Sequence, residues 1–335
     1  MTRTAADDTD FTRNTEPFRR ELLAHCYRLL GSADEAEDLV QETYLRAWRG
    51  YAAFEGRSSL RTWLYTIASN ACLTALETRS RRPLPSGLGA PATDASASTH
   101  GAADGQGPAF WLQPIPDALV IAGPEDPAAD PAAAAVTRES LRLALVASFQ
   151  YLPPRQRAVL LLRDVLAFPA AEVAAMLELS VPAVKSLLQR ARTRLQQVSP
   201  AADQVVEPTA AQARRLLEGY MKAFETSDAA ALAELLRQDA TLELPPSAIW
   251  FAGDAAKAGA VAGLLSPGDW RMAPTSANGQ PAAAVWLRGP DGRHHPYGVA
   301  VLTVTPTGIA GILAVADPAL VGLFGFGPEP PSGTP

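Results

Sequence analysis

The chain has 335 residues, which is enough for two or three domains, and 47% of them are hydrophobic, so large cores can be buried. Its net charge of −6 is uneven: residues 83–134 carry −6, residues 135–198 carry +5, residues 199–335 carry −5, and residues 1–82 are neutral. The acidity of the whole chain therefore does not exclude nucleic-acid binding, because the basic part is local.

The start of the chain and its cysteines indicate a cytoplasmic protein. The first residues are polar and acidic, unlike a secretory signal peptide. Cys26 and Cys72 lie on apolar faces of predicted helices, so we expect buried free thiols in a reducing compartment. The sequence contains no metal-ligand cluster, and we expect neither a metal nor a cofactor. The uncharged run 298–316 is interrupted by turn residues at 305–308, which favours a β-hairpin over a membrane span.

Residues 15–80 are predicted to form helices. Residues 16–30 form the first, which Gly31 ends, and Ser32 begins the second. Ser58 is expected to cap the third helix. Aromatic and basic residues follow the second helix, a mixture that suits single-stranded DNA because every base offers a face for stacking. Trp48 and Trp63 are expected in the core. The surface candidates for melted DNA are Tyr51, Phe54, Arg57, Arg61, Tyr65 and Asn70.

The second helix also carries an acidic face opposite its apolar stripe. Asp38, Gln41 and Glu42 lie on this face. Such a face is often simply solvated, and its context decides whether it is a binding surface.

Residues 83–134 form a predicted linker, rich in Pro, Gly, Ala, Ser and Asp and without Lys or Arg, which we expect to be flexible for much of its length. The run 110–117 (FWLQPIPD) is unusual there. It indicates either a segment that docks on a folded surface or a local turn without consequence.

Residues 168–195 are typical of a helix-turn-helix. Ser180 is a suitable N-cap for the second helix, and Pro182 falls in its first turn. Glu178 stands where such turns often have glycine. Apolar residues recur at helical spacing and must face inward, which leaves a polar, basic set outside for a major groove and its phosphates: Lys185, Ser186, Gln189, Arg190, Arg192 and Arg194.

The C-terminal part changes character. Helices are predicted at residues 210–226 and 228–238. Strands follow at 240–244, 271–277, 282–288, 297–305 and 309–315. This order favours an α+β domain with a curved antiparallel sheet.

Two separate runs resemble extracytoplasmic-function sigma factors. The run AEDLVQETYLRAW (36–48) with SLRTWLYTIASNA (59–71) resembles their first domain, and LPPRQRAVL (152–160) with the helix-turn-helix resembles their second. The resemblance implies core RNA polymerase and promoter DNA as partners. It implies that Asp38, Gln41 and Glu42 meet a coiled coil of the large catalytic polymerase subunit. It also implies that loop 51–58 and the following helix hold the −10 element, and that the second domain reads the −35 element.

The C-terminal part resembles SnoaL-like polyketide cyclase domains, which are cone-shaped α+β barrels, at LEGYMKAF (217–224), LELPP (242–246), WFAG (250–253) and Asp317-Pro318. Sigma factors with this extra domain form a known subgroup, whose linker the WLQPIPD run resembles, and the domain is thought to regulate them in place of a separate anti-sigma protein. Complementary charges of residues 135–198 and 199–335 suggest an intramolecular contact. A small apolar ligand could be lined by Trp250, Phe251, Trp270, Trp286 and Tyr297.

The sequence thus predicts a multidomain protein with two all-α sigma domains joined by a flexible linker, the second carrying the helix-turn-helix, and a C-terminal α+β SnoaL-like cone-shaped barrel. Its predicted parts are residues 15–82, 83–134, 135–198 and 205–325. Two alternatives stay open: a helix-turn-helix regulator that acts without polymerase, and a DNA-binding protein with an enzymatic C-terminal domain. The second needs an acid–base residue in the cone, for which the candidates are Asp254, Asp317, His294 and His295.

Overall fold

The computed structural model describes residues 5–78, 81–93, 111–122, 131–198 and 208–331. The chain divides into two compact units, one made of residues 1–82 and 118–200 and the other of residues 83–117 and 201–335. The middle of the predicted linker, residues 94–110 and 123–130, lies outside the described residues.

The first unit is helical. Its helices, with α5 at the boundary between the units, are α1 (Ala5–Thr15), α2 (Arg19–Leu30), α3 (Ala33–Gly50), α4 (Leu60–Glu77), α5 (Asp117–Val120), α6 (Pro131–Leu141), α7 (Leu143–Phe149), α8 (Pro154–Leu160), α9 (Ala170–Met176) and α10 (Val181–Val198). A π-helical turn, Leu161–Val165, continues α8.

Local signals explain where the first helices begin and end. Gly31 ends α2 with φ of 72°, a left-handed conformation that glycine adopts without strain. The hydroxyl of Ser32 accepts a hydrogen bond from the Glu35 amide at the start of α3. The expected cap of the third helix is one residue off: Ser59, not Ser58, accepts from the Thr62 amide, because α4 begins at Leu60.

Two small cores hold the first unit. Helices α2, α3 and α4 pack together around Leu22, Leu29, Val40 and Leu64. Both cysteines are free thiols buried in this region, as expected. Helices α7 to α10 enclose a second core, whose fully buried aliphatic members are Val146, Val159, Val173, Val184 and Ala191.

The second unit is an α+β domain. Its helices are α11 (Ala210–Thr226), α12 (Ala229–Leu235), α13 (Asp254–Ala262) and α14 (Pro318–Leu323). Its strands are β1 (Leu236–Glu243), β2 (Trp250–Ala252), β3 (Trp270–Ala277), β4 (Gln280–Arg288), β5 (His294–Thr305) and β6 (Gly308–Val315). The predicted hairpin is confirmed, because β5 and β6 pair antiparallel across the turn at 305–308. No helix within the described ranges is long and apolar enough to cross a membrane.

The sheet is mixed rather than wholly antiparallel, so that part of the expectation is wrong. Its strand order is β2-β1-β6-β5-β4-β3, and β1 pairs parallel with β6. The chain leaves β1, forms β2 and α13, and builds β3 to β5 before β6 returns beside β1 in the same direction. Helices α11 and α13 cover one face of the sheet, and α14 covers part of the other. The predicted α+β fold of this unit is confirmed.

Parts of the predicted linker belong to the second unit. We call residues 83–93 and 111–117 the strap. The Ala92 amide donates to the Trp250 carbonyl at 2.8 Å, and the Trp250 indole donates to the Gly89 carbonyl at 2.9 Å. At the other end, the Ile115 amide donates to Oδ1 of Asn278 at 2.9 Å. The docking interpretation of the FWLQPIPD run is therefore confirmed for residues 111–117, whereas Phe110 lies outside the described residues.

Candidate nucleic-acid interface

The helix-turn-helix consists of α9, a turn at residues 177–180, and α10. Glu178 has φ of 54°, so the turn adopts the left-handed conformation that usually favours glycine there. The Ser180 hydroxyl accepts from the Ala183 amide at 3.3 Å and caps α10 as expected. Val184, Leu188 and Ala191 face inward. The six predicted reading and phosphate residues are all exposed: Lys185, Ser186, Gln189, Arg190, Arg192 and Arg194.

Two arginines on α10 are held in different ways. Arg190 donates to the Ser186 hydroxyl at 3.0 Å, a contact within the helix that a base edge could replace. Arg192 instead forms a two-pronged ion pair with Asp164 at 2.7 and 2.8 Å. That ion pair turns Arg192 toward the π-helical turn and not along the exposed face that carries Lys185 and Gln189.

The predicted single-strand residues divide into two groups. The first group lies in the loop after α3. Tyr51 and Phe54 are half-buried, with the Phe54 ring stacked on Trp63 at a centroid distance of 4.8 Å. Arg57 is exposed and pairs with Glu55 at 3.1 Å.

The second group lies on α4 and contacts the second helical domain, although Arg61 remains partly exposed and Asn70 exposed. The Arg61 guanidinium donates to the Glu21 carboxylate at 2.9–3.2 Å and lies 4.7 Å from the centre of the Phe168 ring. The Asn70 amide donates to the Met176 carbonyl at 3.1 Å, and Phe168 and Met176 belong to the helix-turn-helix region.

Two aromatic predictions are wrong. Tyr65, expected at the surface, is completely buried: its hydroxyl donates to Glu21, and its ring meets Phe168 at 5.2 Å. Burial, with the nearby Glu21 charge, raises the pKa of Tyr65 well above its usual value. Trp48, expected in the core, is 39% exposed. Helical spacing predicts neither the burial of Tyr65 nor the exposure of Trp48. Phe168, which covers Tyr65, lies about a hundred residues further along the chain.

The acidic face of α3 is accessible. Asp38 and Gln41 are exposed, and Glu42 pairs with Arg46 at 2.7 Å along the helix. The same side of α3 continues with Leu45, which is 50% exposed, and with Trp48. These two apolar residues were not predicted as part of the face, although their spacing of seven and ten residues from Asp38 is a signal for it.

Two buried arginines join the helical domains of the first unit. Arg157 of α8 donates to the Leu29 carbonyl at the end of α2 and to Gln150 at 2.8 Å. Arg28 of α2 donates to the Ser140 hydroxyl of α6 at 2.8 Å. Burial lowers the pKa of each to about 10, so both stay charged at neutral pH. Sequence reasoning did not single out either residue.

The five predicted pocket residues do not lie together in the second unit. Trp270 and Tyr297 line a cavity of about 100 Å³ between the helices and the sheet. Phe251 lies in the adjoining core, and Trp250 holds the strap at the edge strand. Trp286 packs on the opposite face of the sheet against Val321 and Phe326. Adjacent residues of a strand point to opposite faces, which is why Leu287 and not Trp286 reaches the cavity.

The candidate acid–base residues lie outside that cavity. Asp254 is exposed at the start of α13, and Asp317 caps α14 by accepting from the Ala319 amide. His294 contacts the Gly268 carbonyl, and His295 contacts Asp291 at the surface. The described residues contain no cluster of His, Cys, Asp and Glu that could hold a metal ion.

Comparisons with known proteins agree with this geometry. Residues 15–82 match the family model "Sigma-70 region 2", and residues 142–195 match "Sigma-70, region 4". The ECF RNA polymerase sigma factor SigG of Mycobacterium tuberculosis is 49% identical over 325 residues, which cover 95% of this chain and 84% of SigG.

The chain belongs to the ECF sigma factors. It is therefore an alternative sigma factor, which directs RNA polymerase to particular promoters, and its C-terminal domain is regulatory. The crystal structure of SigJ from Mycobacterium tuberculosis has the same fold over 93% of this chain and 98% of SigJ, with a TM-score of 0.60 and 24% identity. The RNA polymerase sigma-H factor of Pseudomonas aeruginosa is 27% identical over 52% of this chain and 78% of its own length. Below, residues 15–82 are called region 2 and residues 142–195 region 4.

Proposed function

We propose that α10 reads the −35 element and that α4 with loop 51–58 holds the −10 element. We further propose that the arrangement described above is a closed form, in which region 4 covers the −10 surface. The observation that carries this proposal is that region 4 contacts Arg61, Tyr65 and Asn70, with Tyr65 completely buried beside Phe168.

The chemistry of the covered residues supports a closed form. Arg61 has its charge satisfied by Glu21 and its flat face against Phe168, so a DNA phosphate or base would have to replace both contacts. Phe168 occupies the position beside Tyr65 that a stacked base would need. Region 4 must therefore move away from α4 before the promoter can be melted.

Water can replace the polar contacts between α4 and region 4. Thr62 donates to the Glu172 carboxylate at 3.1 Å, and Asn70 donates to a main-chain carbonyl. Each such hydrogen bond contributes about 1 kcal/mol net, because water replaces it on separation. A partner with higher affinity for the open form, such as core polymerase, shifts the population toward it.

For the polymerase surface we propose Asp38, Gln41 and Glu42 together with Leu45 and Trp48. Exposed large apolar side chains beside a charged rim are typical of a protein–protein interface. The acidic groups would favour a basic partner, and the apolar pair would supply the buried centre.

Regulation by the C-terminal domain is proposed to act through the strap. The strap follows region 2 directly in the chain, and it is hydrogen-bonded to β2 and to the β3–β4 turn. Leu112 and Ile115 are fully buried there. The second unit thus fixes a large part of the connection between the two DNA-binding regions, which limits how far they can separate.

The C-terminal domain is proposed to have no enzymatic activity. None of Asp254, Asp317, His294 and His295 lines its cavity, and catalysis by a general base requires that the base reach the reacting proton. We also propose that the protein acts in the cytoplasm, where its polymerase and DNA partners are found.

A short cross-link between region 2 and region 4 tests the closed form. Thr62→Cys with Glu172→Cys, joined by a short bismaleimide, should reduce run-off transcription with core polymerase at least about tenfold, since the covered residues cannot reach DNA. Each variant with only one of the two substitutions, treated alike, is the control and should retain activity. If the cross-linked protein melts promoters as well as the controls, the closed form is the wrong interpretation.

A further inference from the structure

The cavity of the second unit has a composition that neither DNA nor polymerase binding explains. It lies between α11, α13 and the sheet, and its volume is about 100 Å³. The described residues that line it are aromatic or aliphatic, with no carboxylate, ammonium, guanidinium or imidazole among them. An apolar cavity of about 150 Å³ holds benzene in an engineered case, so this smaller cavity limits a ligand to a single ring at most.

Small residues create the space. Gly259 and Ala260 of α13, Ala300 of β5 and Ala314 of β6 line the cavity together with larger side chains. An unfilled cavity destabilises a fold by about 24 cal/mol for each Å³. An occupant of matching shape would recover that loss. Leu244, Leu287 and Ala314 line the cavity but are only half-buried, so they mark a route from solvent.

Two tyrosine hydroxyls are the polar groups that distinguish this cavity. Tyr220 is 2% exposed, and within the described part of the chain neither its hydroxyl nor that of Tyr297 has a hydrogen-bond partner. The third polar lining group, the Trp270 indole, already donates to the Gly263 carbonyl at 3.1 Å. Burial raises the pKa of both tyrosines, so their hydroxyls stay neutral and can donate or accept. Neither hydroxyl is a fully enclosed polar atom, so both are open to the cavity, where a polar atom on a ligand would meet them.

We propose that this cavity is a binding site for an uncharged one-ring molecule that carries one hydrogen-bonding oxygen, and that it binds this ligand without converting it. The ring would lie beside Phe224 and Trp270, whose own rings meet edge to face at 6.2 Å, and its oxygen would meet the Tyr220 and Tyr297 hydroxyls. A charged ligand is excluded because nothing in the lining compensates for the loss of its hydration. This site goes beyond the proposed function, and its test needs neither polymerase nor DNA.

Three ring compounds of similar shape test the ligand class on the full chain by ¹⁹F NMR: 4-fluorophenol, 4-fluorotoluene and 4-fluorobenzoate. The phenol should bind most tightly. The toluene should bind several-fold more weakly because it lacks the oxygen, and the benzoate at least about tenfold more weakly because it is charged. Equal binding of the benzoate and the phenol would overturn the proposal.

Paired variants test the location. Ala260→Leu fills the cavity from α13 and should reduce phenol binding at least about tenfold, whereas Ala258→Leu, on the exposed side of the same helix, should not change it. Tyr220→Phe keeps the ring and should abolish the preference for phenol over toluene. Thermal unfolding verifies that each variant is folded. If Ala260→Leu does not fold, the Tyr220→Phe result decides, and an unchanged phenol preference there contradicts the proposed site.

Discussion

At the scale of single residues, the first unit depends on buried charged and titratable side chains as well as on its apolar cores. Arg157 and Arg28 are almost completely buried, and each donates to a group on a neighbouring element. His25 is also fully buried and lies 2.9 Å from the Ser69 hydroxyl. Removal of one partner from such a set leaves a buried polar group unsatisfied, which costs more than the bond itself contributes.

His25 should make the stability of the first unit depend on pH. Burial, together with the charges of Arg28 and Arg61, lowers its pKa from 6.5 to about 3. Between these values the unfolded chain binds a proton that the folded chain does not, so stability falls as the pH falls. We expect a loss of about 2 kcal/mol between pH 6.5 and about pH 5, measured by hydrogen exchange of the α2 amides. His25→Gln, which cannot titrate, should largely abolish this dependence of stability on pH. If the stability of the variant depends on pH as steeply as that of the wild type, other groups cause the dependence.

Arg190 is the residue on which base reading is best tested. Its guanidinium is exposed. Within the described part of the chain, its one hydrogen bond goes to the Ser186 hydroxyl. Arg190→Ala should cost about 1–3 kcal/mol at one −35 position and relax specificity there, because a base contact is lost. Arg194→Ala is the matched control and should weaken all sequences alike and reduce the salt dependence. Binding of the holoenzyme to a panel of −35 variants measures both, and a uniform effect of Arg190→Ala would remove it from the reading set.

At the scale of elements, α3 and α4 present different surfaces although both begin with a serine cap. One side of α3 is accessible and carries the acidic and apolar face, whereas α4 is covered by α8 and α9. The predicted function of α3 therefore requires no rearrangement of the first unit, whereas that of α4 does.

Charge reversal on α3 should weaken polymerase binding without unfolding the helix. Glu42 is at the surface, and its ion pair with Arg46 contributes little to stability. Glu42→Lys should reduce affinity for core polymerase about tenfold, because a like charge is placed against a complementary surface. Glu77→Lys, the same change at the exposed end of α4, is the control. Core affinity can be measured by fluorescence anisotropy, with circular dichroism as the folding check; undiminished affinity of a folded Glu42→Lys protein would show that another surface binds.

At the scale of the whole molecule, the division into units does not follow the chain. Region 2 and region 4 share one unit, although about sixty residues separate their family matches, and much of the intervening segment belongs with the C-terminal domain. The domain at the end of the chain is thus connected to the middle of the chain through the strap.

Truncation after residue 199 should change transcription at a cognate promoter several-fold. The two cores of the first unit lie within residues 1–82 and 118–200, so its folding should be unaffected. The strap, however, would lose the partners that bury Leu112 and Ile115.

Asn278→Gly tests the strap by a single substitution. It removes the side-chain oxygen that accepts from the Ile115 amide, and glycine tolerates the φ of 56° at that turn. The variant should shift transcription in the same direction as the truncation. Thr307→Gly in another exposed turn is the control.

Run-off transcription at matched concentrations and several salt levels measures these effects. Equal activity of the truncated and full-length proteins would contradict regulation through the C-terminal domain at this step. Opposite effects of truncation and of Asn278→Gly would contradict a role for the strap, while leaving the regulatory role of the domain in place.

The sequence alone determined the parts of this protein whose signals are local. Helical spacing with caps at Ser32 and Ser180 predicted α3 and α10, and it predicted which side chains of α10 are exposed. The same reasoning identified the hairpin of β5 and β6, because turn residues separate two β-rich runs. Two motif matches in the right order then identified the family, since such matches depend on residue identity and order and not on packing.

Tertiary structure decided what depends on contacts between distant residues. Tyr65 is buried because Phe168 and Glu21 meet it, and α4 by itself would leave it exposed. The direction of β1 follows from its pairing with β6, about seventy residues later, and the strap is ordered by Trp250 and Asn278 of another domain. Periodicity shows which side of an element is apolar, but not which partner covers it. For this reason the cavity, the closed form and the strap became visible only in the folded chain.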